Sequence, residues 1–167
     1  MTTLTQVVAQ HIDYNYWANR RIWGCVMALT AEQFNRPLDY SQGAICNQIV
    51  HTMWAEDVWL SRITGDANPT YTSQDFENRT AIRTAWDALE AKVFNTITSM
   101  DETQLTQRMG YQNSSGTEFQ QTVLQIVLHL VNHGTDHRAQ TLAMMHMLGA
   151  ETVEQDLIHY YRENPGV

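Results

Sequence analysis

Apolar residues recur along most of this chain at three- and four-residue intervals, the period of a helix that turns one face to a core. The first such run extends from about Leu4 to Leu29 through Val8, Ile12, Tyr16, Ile22, Trp23 and Val26. Thr30 then caps a short turn, with Gln33 at the capping-box position. A second run spans roughly Ala44 to Thr64 and stops at Gly65, a natural residue for a helix end. The third runs from about Asn78 to Met100, with Ile82, Trp86, Leu89, Val93 and Ile97 on one face. From Asp101 to Thr117 the period is lost, and the Gly and Asn-Ser signals after Arg108 suit a small hairpin. A fourth long helix is predicted over Glu118 to Leu148, closed by Gly149, and a short C-terminal helix over Val153 to Arg162. Pro37, Pro69 and Pro165 all fall at predicted breaks. The pattern predicts an all-α four-helix bundle with a small hairpin before the fourth helix, in a single domain over residues 1–167.

Composition narrows the functions such a bundle can have. The chain carries 10 Lys+Arg against 18 Asp+Glu, a formal net charge of -8, and Lys92 is its only lysine. Duplex binding needs clustered cations that displace counterions, so the scattered arginines argue against a nucleic-acid partner. The apolar stretch Val123 to Val131 contains Gln125 and His129 and is too short to cross a bilayer, so no membrane role is expected. Met1 to Val8 lacks the basic start of a secretory or transit peptide. Cys25 and Cys46 sit within predicted helices and have no CxxC spacing, which predicts two buried, reduced thiols in a cytoplasmic protein.

Seven histidines in 167 residues are the compositional oddity. On the fourth helix, Ile126, Leu130, Met144 and Leu148 form an apolar stripe, and His133 and His137 lie within it on consecutive turns. Two imidazoles at i and i+4 can reach a shared point at metal–nitrogen distance, whereas burying both without an ion leaves two sets of polar atoms in need of partners. The residue after His133 is Gly134, not the glutamate of a zincin, so any general base must come from elsewhere. His129 lies well off the stripe, and a plain packing role is the simpler reading.

His51 is the other histidine in the middle of a long helix. Its helix is apolar on more than one side, so periodicity alone leaves open whether His51 faces the pair. Glu56 and Asp57 remain rival ligands, supporting groups or members of a solvated ion pair. The five tryptophans are assigned mainly to the core, with one or two lining a pocket over an ion.

Together, Tyr14-Asn-Tyr-Trp17-Ala-Asn19, His51 followed by Trp54-Ala-Glu-Asp-Val-Trp59, and Asn132-His133-Gly-Thr-Asp-His137-Arg138-Ala-Gln140 resemble the DinB-like family of bacterial four-helix-bundle metalloproteins, over nearly the whole chain. One histidine on the second long helix and HxxxH on the fourth matches the family's metal triad. The resemblance therefore implies His51, His133 and His137 as ligands of one divalent ion, zinc or nickel. It also implies a low-molecular-weight thiol and a small electrophile as partners, and homodimers are common among similar bundles. Three neutral imidazoles leave at least one coordination position open, the pattern of a catalytic site. Three functions stay in view: a metal-dependent thiol S-transferase, a metal-dependent hydrolase drawing a base from Glu56, Asp57 or Asp136, and a non-catalytic metal-binding or ligand-sensing bundle.

Overall fold

The structure is a computed structural model that describes residues 2–166. Its helices are α1 (Leu4–Ala28), α2 (Ala31–Asn35), α3 (Ile45–Thr64), α4 (Arg79–Thr98), α5 (Glu102–Thr106), α6 (Val123–Met147) and α7 (Leu157–Glu163), and strands β1 (Arg108–Gln112) and β2 (Glu118–Thr122) precede α6. The four long helices close a ring in which α1 and α3 each pack against both α4 and α6. Val8, Ile12, Val26, Ile49, Met53, Trp86, Val93, Val127 and Met144 belong to the shared core. The all-α four-helix bundle follows from the apolar period, as the sequence predicts. No helix among the described residues is long and apolar enough to cross a membrane.

The helix starts have local causes. Thr3 with Gln6, Thr30 with Gln33, and Thr122 with Gln125 form reciprocal capping boxes that satisfy otherwise orphaned backbone N–H groups. At the other end of α3, Gly65 takes φ +79°, which an L side chain rarely adopts, and its N–H donates to Ser61 O.

The fourth long helix begins at Val123, not at Glu118. Residues Glu118–Thr122 pair antiparallel with Arg108–Gln112, with Tyr111 opposite Phe119 and their rings stacked at 5.8 Å. Asn113 Oδ1 closes the connection by accepting from the N–H groups of Ser115 and Thr117. Strand pairing and the Thr122 cap thus outweigh the helical reading of this segment. The C-terminal helix likewise starts later than predicted, at Leu157. Both cysteines are free and only half-buried, not enclosed as expected, and burial still pushes both thiols above their usual pKa.

One charged network lies in the centre of the bundle. Glu56 is 1% exposed, and its carboxylate accepts from Asn15 Nδ2 at 3.1 Å, Trp86 Nε1 at 2.9 Å and the Tyr16 hydroxyl at 3.4 Å. The buried Arg138 donates to Asn15 Oδ1, to Asn19 Oδ1 at 3.1 Å, to Thr135 Oγ1 at 3.0 Å and to Gln155 Oε1 at 2.7 Å. Gly134 makes room for this network. A Cβ built there would run into Asn15 Oδ1 and stand 2.9 Å from Arg138 Nη1.

Candidate metal centre

α3 and α6 run antiparallel, so residues that ascend along one meet residues that descend along the other. His51 on α3 meets His137 and His133 on α6, with ring centroids 4.7 and 5.8 Å away, and the two α6 rings are 4.2 Å apart. One ligand atom from each of the three imidazoles lies within 4.8 Å of the other two. A tetrahedral ion with bonds of 2.0–2.1 Å holds its donors about 3.3 Å apart. Small ring rotations cover that difference. The structure therefore brings together the three histidines that the sequence singles out, and it resolves the facing of His51.

The donor set fits a divalent cation. Burial lowers the pKa of all three imidazoles, and His133 is brought down to about 4 by burial and then by the neighbouring His137, His129 and His51. All three are therefore neutral at neutral pH, with lone pairs to offer. His133 Nδ1 is buried and has no hydrogen-bond partner. An unpartnered polar atom of this kind costs free energy unless something binds it.

Gln48 holds one ring in place. This residue, one turn before His51, is fully buried, and its Nε2 lies 2.7 Å from His137 Nδ1 and 3.2 Å from the His137 carbonyl oxygen. Its Oε1 accepts from Ser41 Oγ at 2.7 Å. Gln48 Nε2 can only donate, so Nδ1 accepts here; for Nε2 to ligate an ion the ring proton must move to Nδ1 and the Gln48 amide must turn its oxygen toward it. The signal in the sequence is a polar residue at a core position three before a histidine.

The acidic rivals separate. Glu56 is neither a ligand nor a solvated ion-pair member: it points into the central network, where burial raises its carboxyl pKa. Asp57 stays on the half-buried side of α3, where burial raises its pKa and the Lys92 charge opposes that. Asp136 is exposed, accepts from Gln140 Nε2 at 3.0 Å, and its charge favours protonation of His133 and His137. No carboxylate hydrogen-bonds a triad imidazole among the described residues.

Aromatic walls flank the centre. Trp54 lies 5.9 Å from His51, and its Nε1–H donates to Pro69 O at 3.0 Å, which fixes the indole. A pocket of about 330 Å³ opens here, lined by His51, Trp54, Gln42, Asn47, Tyr71 and Ser73. On the other side the exposed His129 abuts the cluster without joining the three converging ligand atoms, its ring 5.5 Å from His133 and 5.1 Å from Trp59. Trp23 and Trp86 are core residues, as the sequence predicts, while Trp17, Trp54 and Trp59 are half-buried.

Comparisons with known proteins agree with this architecture. The chain is 22% identical over 150 residues to Protein DinB of Bacillus subtilis (strain 168), with 86% of this chain and 87% of that protein covered. The fold superposes with a TM-score of 0.65 on the crystal structure of a conserved protein from Enterococcus faecalis, at 12% identity and covering 86% of this chain and 96% of that one. The model of the DinB family matches residues 1–165. With nearly the whole sequence matched, this chain belongs to the DinB family.

Proposed function

We propose that His51, His133 and His137 bind one divalent ion, zinc or nickel, and that the protein is a thiol S-transferase joining a low-molecular-weight thiol to a small electrophile. The observation that carries this reading is a cluster of three neutral imidazoles beside an open pocket, with one buried nitrogen unpartnered. A bound divalent ion supplies Lewis acidity that keeps a thiol ionised at neutral pH.

The chain's own groups do the rest. Burial keeps the imidazoles unprotonated, and Gln48 fixes the orientation of His137. The Trp54 face and the amide and hydroxyl groups of Gln42, Asn47 and Tyr71 give the electrophile an apolar wall and neutral hydrogen-bonding partners. Transfer forms a carbon–sulfur bond and breaks the bond from that carbon to its leaving group, which departs with the electron pair. The thiol proton passes to solvent. Hydrolysis is less well supported, because no carboxylate is in place beside the triad to act as general base.

The test is spectroscopic. Cobalt-loaded protein titrated with cellular-type thiols is expected to develop a sulfur-to-metal charge-transfer band that is absent from the His133→Ala variant. No band with any thiol sinks the transferase reading. An ion that stabilises the fold but exchanges no ligand selects a non-catalytic metal-binding bundle in its place.

A further inference from the structure

Eleven residues beyond His51 on α3, Arg62 stands against the hairpin. Its guanidinium lies 4.4 Å from the centroid of Trp59 and 4.9 Å from that of Tyr111, against two rings that meet edge to face at 4.9 Å. One edge is pinned, because Nη2 donates to the Gln112 carbonyl oxygen at 3.2 Å. The other N–H groups have no acceptor among the described residues, and no carboxylate pairs with this cation there. Five of the other eight arginines are committed elsewhere: Arg20 and Arg83 to Glu90, Arg21 to Glu163, Arg79 to carbonyls at the end of α1, and Arg138 to the central network. A half-buried guanidinium stacked on aromatic faces, with one edge pinned and a fork of donors left over, is organised to grip a carboxylate or phosphate.

The position of Arg62 gives this fork a purpose. From it a continuous path leads to the triad: Trp59 abuts His129 at 5.1 Å, and His129 abuts His133 at 5.5 Å. Long helical side chains lean toward the helix N-terminus, so Arg62 reaches back over Trp59 toward the histidines. Eleven helical residues separate His51 from Arg62, about 16 Å along the axis, and the backward lean of the arginine shortens that span. In a chain with a net charge of -8, this cation beside the histidine cluster attracts anions where most of the surface repels them.

We propose that Arg62, backed by Trp59 and Tyr111, is an anion subsite beside the triad and binds the carboxylate of an elongated small-molecule thiol whose sulfur end reaches the histidines. The sulfur end rests on the functional reading above; the carboxylate end rests on Arg62 alone. The subsite selects thiols that carry an acidic group at the far end and discriminates against neutral ones of the same length. Trp59 and Tyr111 add an apolar and aromatic floor between the two anchor points.

The test is calorimetric titration of zinc-loaded protein with ω-mercaptoalkanoates of increasing chain length and with neutral ω-mercaptoalcohols of matched length. At the length that spans Arg62 and the triad, the acid is expected to bind about tenfold more tightly than the alcohol. Arg62→Gln is expected to bring the acid down to the alcohol's affinity without changing the alcohol, and Arg62→Lys to restore part of the difference. Equal affinity of acid and alcohol for the unmodified protein overturns the proposal without recourse to any variant, and so does an equal loss for both in Arg62→Gln. Alkanoates without a thiol, titrated into zinc-free protein, separate the two readings. Arg62-dependent binding of these acids with no added affinity from a thiol supports the subsite and sinks the transferase. Thiol binding that ignores Arg62 does the reverse.

Discussion

Two polar clusters are built largely on α3 and α6, and they are finished in opposite ways. Around Glu56 and Arg138 both charged groups are answered through Asn15, Asn19, Trp86 and Gln155, with only Asn19 Nδ2 of this network left without a partner. Among the histidines, Gln48 engages one ring nitrogen and His133 Nδ1 has nothing. A buried network whose charged groups are satisfied from within adds specificity to the packing and needs no ligand. A cluster of neutral imidazoles with an uncommitted nitrogen is complete only when something else supplies the bond. Burial and charge alone would have nominated Glu56 as the functional group; the hydrogen-bond accounting reverses that choice.

The largest effect expected from breaking this contrast is in the closed network. Glu56→Ala leaves Trp86, Asn15 and Tyr16 donors facing a void and Arg138 without its nearby anion, so unfolding free energy should drop by about 3–5 kcal/mol in thermal or denaturant melts. A smaller loss there, with metal binding abolished, would make Glu56 part of the site after all. Next comes His133→Ala. Zinc at about one hundred times its dissociation constant should stabilise the unmodified protein by about 2.7 kcal/mol and the variant not at all.

Gln48→Ala should leave the three imidazoles in place but free His137 to turn. Zinc affinity measured by competition with a chelator should fall about 10- to 100-fold. The smallest effect is the pH dependence of the metal-free protein. Burial and the neighbouring histidines bring His133 in the folded protein down to about 4 from its ordinary value of 6.5, so the unfolded chain takes up its proton first. Its contribution to stability is complete above pH 6.5 and is lost progressively as pH falls toward 4. Melts between these limits should show that slope, and His133→Ala should flatten it; an unchanged slope would place the titration elsewhere.

How much of this was legible in the chain depends on how many elements a feature needs. The His133–His137 pair uses one helix and its period, so spacing is sufficient to find it. His51 needs two helices and a rotation about α3, which periodicity could not settle because α3 buries more than one side; the family motif supplied what spacing lacked. Glu56 and Asp57 are adjacent in sequence, and only tertiary packing sends one to the centre and the other outward. The start of α6 was readable in principle, since Thr122 and Gln125 form the capping signature, but the apolar run beginning at Val123 blends into Phe119 when only helical period is sought. Gln48, Trp59 and Arg62 acquire meaning only when α6 and the hairpin lie beside α3.

Gly134, set between the two α6 histidines, has a dynamic consequence. Its missing side chain lets α1 clamp α6 through Asn15 and Arg138 at the very turn that spaces the imidazoles. Amide hydrogens on that turn should therefore exchange with solvent only when the bundle as a whole opens, unlike those of the hairpin, whose local fluctuations suffice. The ligand spacing is then inherited from the scaffold instead of imposed by an ion, and an incoming ion finds the rings close to their final separation before it arrives.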